Sequence, residues 1–172
     1  MPSKFSLIIS VTIILILGAF YYYPEKKLPK GVKIDKILVI KSKHRLYAYS
    51  KNKLLKVYKV SLGRVKGKKR FEGDNKTPEG IYHIISKNPH SSFNLNLGIS
   101  YPNNEDMRYA KAHGKKAGGE IKIHGLKNGL GFIGKFHRLF DWTRGCIAVT
   151  NKEIEELYSS VLIGTPIIIK EH

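Results

Sequence analysis

The feature that most constrains this chain is an uncharged run of nineteen residues near its N-terminus, from Phe5 to Tyr23. As an α-helix rising about 1.5 Å per residue, the run spans roughly 28 Å, close to the ~30 Å hydrocarbon core of a bilayer. Three tyrosines close the run where an interfacial aromatic belt would lie, and Pro24 follows them. Residues 1–23 are therefore predicted to form an N-terminal transmembrane helix that anchors the chain.

A cleaved signal peptide is the alternative interpretation of this segment. Signal peptides usually have a shorter apolar region that ends in small residues with an A-x-A arrangement. The nearest candidate is Leu17-Gly18-Ala19, which places a bulky leucine where a small residue is needed. An uncleaved anchor is therefore favoured.

The next residues, 24–35, are rich in lysine and proline and are interpreted as a linker. They carry four lysines, whereas only Lys4 and the amino terminus precede the apolar run. Taken alone, the positive-inside rule predicts that a domain placed after this linker stays in the cytoplasm. The chemistry of residues 36–172 is therefore needed to decide the side of the membrane.

Residues 36–172 mostly follow the two-residue periodicity of β-strands. Short apolar or alternating runs cover residues 37–40, 45–50, 54–61, 80–85, 120–124 and 166–170. Residues 51–53 would be the turn of a hairpin, and the glycine-rich, basic residues 62–78 would be a loop. Near the C-terminus, Thr150 and Glu153 form a capping box before an apolar helix face. The patterns predict a mainly β domain with one or two short helices.

The chain is strongly basic, with 31 Lys and Arg residues against 13 Asp and Glu and a formal net charge of +18. Such a charge favours nucleic acid, anionic lipid headgroups or an anionic cell wall as partners. No nucleic-acid-binding motif with interleaved aromatic residues is found, so nucleic acid is not predicted as a partner. One cysteine and seven histidines without an i, i+4 pair also argue against a metal site, and no cofactor is predicted.

Cys146 is the one cysteine of the chain, and a single cysteine is usually an inert, buried residue. Its neighbours differ from that pattern. Gly145 allows a sharp turn that would expose the backbone N–H groups of Gly145 and Cys146 to an oxyanion. Arg144 puts a positive charge two residues from the sulfur, which would favour the thiolate. Cys146 is therefore a candidate nucleophile.

A thiol nucleophile needs a base, which is normally a histidine. His124 ends a predicted strand and is followed by Gly125, which allows close approach of another segment. His137, nine residues before the cysteine, is the competing candidate. The spacing of the histidine and cysteine motifs favours His124 as the base.

These residues resemble the signature of the L,D-transpeptidase (YkuD-type) catalytic domain family. In that signature a His-Gly pair is followed, after a limited gap, by [Ser/Thr]-[His/Arg]-Gly-Cys. Here seventeen residues separate His124-Gly125 from the sequence TRGC at residues 143–146. The segments GDNKTPEGIY at residues 73–82 and ISYPN at residues 99–103 also resemble family motifs. The resemblance extends over roughly residues 36–170.

The resemblance implies a YkuD-like β-sandwich or barrel-type catalytic domain over residues 36–172 that acts on peptidoglycan stem peptides. Cys146 would attack the carbonyl after the L-centre of an L,D peptide bond and expel D-alanine. The acyl group would pass to an amine, giving a 3-3 cross-link or attaching a wall lipoprotein. His124 would act as proton acceptor and donor. Because this substrate lies outside the cytoplasm, the domain is predicted to lie in the periplasm or cell wall, against the lysine count.

Two alternatives to transfer remain open at the level of sequence. Ala148 stands where many family members have an arginine, which removes an anchor for a substrate carboxylate. Hydrolysis of peptidoglycan peptides or lipoprotein links is therefore the alternative within the enzyme class, and a non-catalytic basic wall-binding module is the alternative outside it. Asp141 would either orient Arg144 or cap a turn. The candidate substrate-binding or orienting residues are Gly125, His137, Asp141, Thr143 and Arg144.

Overall fold

The computed structural model of this protein describes residues 3–172. Helix α1 (Lys4–Tyr22) precedes a domain built on an 8-stranded sheet, with two further α-helices and a 3₁₀ segment made of two short turns that meet at a kink at Gly134. After α1 the elements are, in chain order, β1 (Lys36–Ile40), β2 (Arg45–Ser50), β3 (Lys53–Lys59), β4 (Gly80–Ser91), β5 (Asn94–Ile99), α2 (Asn104–Ala112), β6 (Lys122–His124), the 3₁₀ segment (Gly131–Leu139), β7 (Ile147–Ala148), α3 (Asn151–Ser160) and β8 (Pro166–Lys170).

The predicted hairpin is confirmed in strands β2 and β3, which pair antiparallel. Lys51 and Asn52 connect them with φ angles of 48° and 61°. Two consecutive positive φ angles are typical of the tight turns whose twist matches that of paired strands. The alternating sequence on both sides of the turn puts Leu46 and Tyr58 together in the core.

The strand order is β3-β2-β1-β8-β4-β5-β6-β7. The C-terminal strand β8 lies between β1, to which it is parallel, and β4, to which it is antiparallel. Its alternate residues Ile167 and Ile169 are fully or almost fully buried in the same core as Ile37 and Val39 of β1. The prediction of a mainly β domain with a few helices is confirmed by this sheet.

The sequence patterns do not predict β5, α2 or the 3₁₀ segment. Strand β5 contains two asparagines, which are depleted in strands, and it is held by pairing with β4 and β6. Helix α2 has a mostly polar sequence but begins with a capping box of Asn103 and Asp106. Helix α3 does begin as predicted, with the capping box of Thr150 and Glu153.

The segment interpreted as a linker, residues 24–35, is packed against the domain. The side chains of Leu28 and Ile34 are buried in the main core. The Ile34 N–H donates to the carbonyl of Ser160 at 3.0 Å, and the Leu28 N–H donates to Glu156 at 3.4 Å. The core therefore begins before residue 36, because apolar residues within the lysine-rich segment are buried with it.

Helix α1 is the one helix among the described residues that is long and apolar enough to cross a membrane, by length and composition. None of its residues is buried against the protein. A signal sequence near an N-terminus has the same properties, so the helix is compatible with both interpretations of residues 1–23.

Candidate active site

His124 is the last residue of β6, and Cys146 directly precedes the first residue of the adjacent strand β7. Strands β6 and β7 are parallel, with Ile123 opposite Ile147 and His124 opposite Ala148. Both isoleucines are fully buried in the core. Because side chains alternate across a strand, His124 and Cys146, which directly precedes β7, are directed to the other face of the sheet. The fold thus brings the predicted base and nucleophile to one side of one strand pair.

The turn before Cys146 requires glycine. Gly145 has a φ angle of 124°, and a Cβ atom there would lie 2.6 Å from the carbonyl oxygen of Lys76. The Thr143 hydroxyl accepts a hydrogen bond from the Gly145 N–H (3.1 Å) and donates to the Cys146 carbonyl (2.7 Å). Of the two N–H groups predicted to bind an oxyanion, that of Gly145 is therefore bonded within the turn.

The loop before β4 supports this turn. The Asp74 carboxylate accepts hydrogen bonds from the backbone N–H groups of Arg70 (2.7 Å), Phe71 (3.0 Å) and Lys76 (3.1 Å). These bonds close the loop and hold the Lys76 carbonyl against Gly145. The GDNKTPEGIY segment therefore shapes the backbone beneath the candidate nucleophile.

His124 is oriented by its own backbone. Its Nδ1 lies 2.7 Å from the carbonyl oxygen of Gly125. Because a carbonyl can only accept, Nδ1 is assigned as the protonated nitrogen and Nε2 as the basic one. Burial lowers the pKa of His124, against a smaller rise caused by the Gly125 carbonyl. The imidazole is therefore neutral near pH 7 and able to accept a proton at Nε2.

Gly125 allows α3 to pack close to the histidine. A Cβ atom there would lie 2.8 Å from Oδ1 of Asn151 and 3.1 Å from Cβ of Asn94. The same Asn151 oxygen accepts from the Leu126 N–H at 2.8 Å. Gly125 is therefore a packing residue whose carbonyl also fixes the His124 tautomer.

The electrostatic surroundings of Cys146 differ from the sequence-based expectation. Burial raises the pKa of its thiol, and a hydrogen bond from the Lys122 N–H and the charges of Lys122 and Lys69 oppose that rise. The thiol lies 3.6 Å from the carbonyl oxygen of Glu120, to which it donates. Arg144 is exposed to solvent, and its charge is not among those that act on the sulfur. The positive charge that lowers the thiol pKa most is that of Lys122, two residues before His124.

His137 is a buried packing residue. Its Nδ1 lies 3.2 Å from the Ser61 hydroxyl, which also donates to the His137 carbonyl at 2.8 Å. Burial, with the charges of Arg138 and His124, lowers the pKa of His137 to about 4. Its ring lies edge-on to Trp142, with centroids 6.4 Å apart. His137 is therefore neutral near pH 7. It contacts Trp142, which in turn contacts His124.

Asp141 joins distant segments of the chain. Its Oδ1 accepts from the Leu62 N–H at 2.7 Å, and its Oδ2 lies 2.9 Å from Nε2 of His44. Both carboxylate oxygens are therefore engaged with residues from the first half of the chain. These contacts match neither of the two roles considered for Asp141, because they involve neither Arg144 nor a backbone N–H of its own turn.

Two aromatic residues that the sequence-based site did not include flank His124. Phe93, in the turn between β4 and β5, lies 4.7 Å from the His124 ring between centroids, and Trp142 lies 5.7 Å from it. Phe93 and Trp142 are themselves stacked at 6.2 Å. Only Trp142 is close to the motif in sequence, so nothing local could have identified Phe93.

Fold and site together define a class of protein: a curled β domain in which a histidine ends one strand and a cysteine directly precedes the parallel strand beside it. No group of three or more His, Cys, Asp or Glu residues in the described chain, 3–172, could hold a metal ion. Residues 34–169 match the family described as the L,D-transpeptidase catalytic domain, YkuD. The chain therefore belongs to the YkuD family.

Several solved structures resemble the domain. The helical cell shape determining protein Pgp2 from Campylobacter jejuni is 29% identical with a TM-score of 0.61, over 82% of this chain and 49% of that one. Bd1075 from Bdellovibrio bacteriovorus is 26% identical with a TM-score of 0.58, over 84% and 50%. An L,D-transpeptidase from Xylanimonas cellulosilytica shares the fold at 15% identity and a TM-score of 0.55, over 85% and 65%. No curated protein sequence matches the chain.

The chain spans about half the length of Pgp2 and Bd1075. About half of each of these two proteins therefore lies outside the region that resembles this chain. Their likeness concerns the catalytic domain and not the whole protein.

We predict that Lys122→Gln slows the alkylation of Cys146 by iodoacetamide. The Lys122 charge lowers the thiol pKa, so its removal should shift the pH profile of alkylation to higher pH and slow the reaction near pH ~8. Lys127→Gln, an exposed lysine whose charge is not among those that act on the thiol, is the matched control and should leave the profile unchanged. Identical profiles for both variants would rule out this role of Lys122.

Proposed function

We propose that this protein is a peptidoglycan L,D-transpeptidase with Cys146 as nucleophile and His124 as its base. The observation that carries the proposal is the placement of both residues on one face of the β6–β7 pair, with His124 Nδ1 bonded to Gly125 and Nε2 left as the basic nitrogen. Membership of the YkuD family supports the same reaction. The substrate class is the stem peptide of peptidoglycan.

The reaction begins with a neutral pair. Burial raises the pKa of Cys146 and lowers that of His124, so the thiol and imidazole are both uncharged before substrate binds. As the sulfur attacks the carbonyl after the L-centre, His124 takes the thiol proton, and the carbonyl oxygen becomes an oxyanion. The backbone N–H of Cys146 is the proposed donor to that oxyanion, because the Gly145 N–H is bonded to Thr143.

Collapse of the intermediate breaks the peptide bond. His124 returns its proton to the leaving nitrogen, D-alanine departs, and the acyl group stays on Cys146 as a thioester. An incoming amine then attacks the thioester and gives up a proton to His124, which returns it to the sulfur. The product is a cross-link between stem peptides or an attachment to a wall lipoprotein, depending on the amine.

Hydrolysis is the second candidate, and Ala148 favours it. This residue is fully buried and its backbone pairs with Ser61, so its position presents only a methyl group. A site without a cation there lacks one means of holding the carboxylate of an acceptor peptide, which leaves the thioester open to water. With water as acceptor the enzyme is an L,D-carboxypeptidase or an amidase that acts on lipoprotein links.

The proposed setting is the cell envelope, with α1 as the membrane anchor and the domain outside the cytoplasm. Helix α1 has the length and composition of a membrane span. The net charge of +18 suits anionic wall polymers and lipid headgroups. Pgp2 is described as determining helical cell shape, and a role in cell-wall shape is proposed here by that likeness.

We expect Cys146→Ala to abolish covalent capture of a carbapenem, which acylates a nucleophilic cysteine. Intact-protein mass spectrometry of the full chain should detect the adduct in the wild type, and Cys146→Ala should lose it entirely. His124→Gln should keep the thiol but slow adduct formation by about 10²-fold or more, the usual contribution of a general base. An adduct that persists in Cys146→Ala would refute the nucleophile assignment.

Product analysis distinguishes transfer from hydrolysis. Purified wild-type chain, incubated with tetrapeptide muropeptides, should yield cross-linked dimers if amines are the acceptors, and tripeptides alone if water is. We expect dimers from the wild type and neither product from Cys146→Ala, which lacks the proposed nucleophile. Exclusive tripeptide formation would replace transpeptidase by carboxypeptidase.

Membrane orientation is testable by fusion of alkaline phosphatase, which is active only outside the cytoplasm. A fusion after Tyr23 should be active, and a fusion after Lys4, before the span, should be inactive. An inactive fusion after Tyr23 would put the domain in the cytoplasm, as the positive-inside rule alone predicts.

A further inference from the structure

The last turn of α1 is docked on the 3₁₀ segment. The Tyr21 hydroxyl donates to the carbonyl of Phe132 at 2.8 Å. The rings of Tyr21 and Phe20 lie 5.5 Å and 5.7 Å from that of Phe136. A Cβ atom on Gly134 would lie 2.7 Å from the Tyr21 ring, so the glycine permits this close approach. The end of the apolar helix and the 3₁₀ segment are therefore in direct contact.

Charged groups reinforce this contact on the domain side. The Lys135 ammonium donates to the carbonyls of Phe20 and Tyr23 at the C-terminal end of α1. The Arg138 guanidinium binds both oxygens of Glu25, at 2.6 Å and 3.1 Å, and this hydrogen bonding lowers the pKa of Glu25. Arg138 also binds Glu153 at 2.8 Å, which ties the contact to α3.

The 3₁₀ segment and the residue after it expose large apolar side chains. Phe132 is 72% exposed, Leu139 69% and Phe140 65%. Lys59 and Lys135 line a shallow cleft beside the last turn of α1. Aromatic and leucine side chains flanked by lysines are the composition of segments that lie in the headgroup region of a membrane.

We propose that the 3₁₀ segment together with Phe140 lies on the bilayer that α1 crosses, with Phe132, Leu139 and Phe140 inserted between lipid headgroups. This proposal rests on α1 being a membrane span. Residues Phe20 to Tyr23 end that span and so lie at the membrane–water interface. Because the 3₁₀ segment touches these residues, it lies at the same depth, and its exposed apolar side chains meet lipid.

This contact orients the candidate active site towards the membrane. His137 belongs to the 3₁₀ segment, packs edge-on against Trp142, and Trp142 packs against His124. A membrane surface that holds the 3₁₀ segment therefore also sets the height and tilt of the catalytic histidine above the lipid.

The test uses the full chain in a Cys146→Ala background, so that an introduced cysteine is the only thiol. Phe132→Cys and Phe140→Cys are labelled with an environment-sensitive fluorophore and reconstituted into vesicles of phosphatidylcholine and phosphatidylglycerol. Ile81→Cys is the matched control, because Ile81 is 65% exposed but lies on β4 in the middle of the sheet. A lipid that carries a spin label near its headgroup is the quencher.

We expect the labels at positions 132 and 140 to lose at least about half of their fluorescence to the quencher, as for interfacial side chains, and the label at 81 to lose almost none. Vesicle-bound protein with equal, weak quenching at all three positions overturns the lipid contact and leaves the anchor intact. A blue-shifted but unquenched label at 132 and 140 assigns the surface to contact with a second copy of this chain and also overturns it. Protein that does not float with the vesicles overturns the anchor and this proposal together. Carbapenem capture by wild-type protein tests the chemistry independently of all these outcomes.

Discussion

The close approach of the Lys76 carbonyl to Gly145 is the constraint on which the arrangement of the site depends. A Cβ atom on residue 145 would lie only 2.6 Å from this carbonyl oxygen, so only glycine fits. The φ angle of 124° is a second, independent reason, because residues with a side chain rarely adopt it. This turn directs Cys146 to the same face as His124, and the Thr143 hydroxyl holds it on both sides. The loop before β4 and the motif before β7, which are distant in sequence, are thus one structural unit.

The protonation state of the pair follows from where this turn puts the sulfur. Burial acts in opposite senses on the two groups, since it disfavours the thiolate and the imidazolium alike. Burial therefore disfavours an ion pair formed in advance, as in some cysteine proteases. The charge of Lys122 opposes the rise in the thiol pKa. Lys122 lies opposite Cys146 because of the register between β6 and β7, and the sequence around Cys146 does not reveal this.

Sequence predicts the parts of this structure that local chemistry determines. The turn at Lys51 and Asn52, the capping box of α3 and the His-Gly and TRGC motifs are all short and self-contained. What could not be predicted depends on tertiary pairing. Strand β5 is held by its neighbours despite its asparagines, and Phe93 reaches His124 from a turn about thirty residues away in sequence. The effect assigned to Arg144 belongs to Lys122 for the same reason, because a charge adjacent in sequence can be directed into solvent.

The buried segment between α1 and β1 determines how far the domain can move away from α1. Twelve free residues could extend to about 40 Å and let a domain explore a deep layer above the lipid. Here Leu28 and Ile34 are buried in the core and Glu25 is bound by Arg138, so the segment is not free to extend. On the proposal that α1 crosses a bilayer, this short connection keeps the domain close to the membrane surface, so that its substrates would have to reach it there.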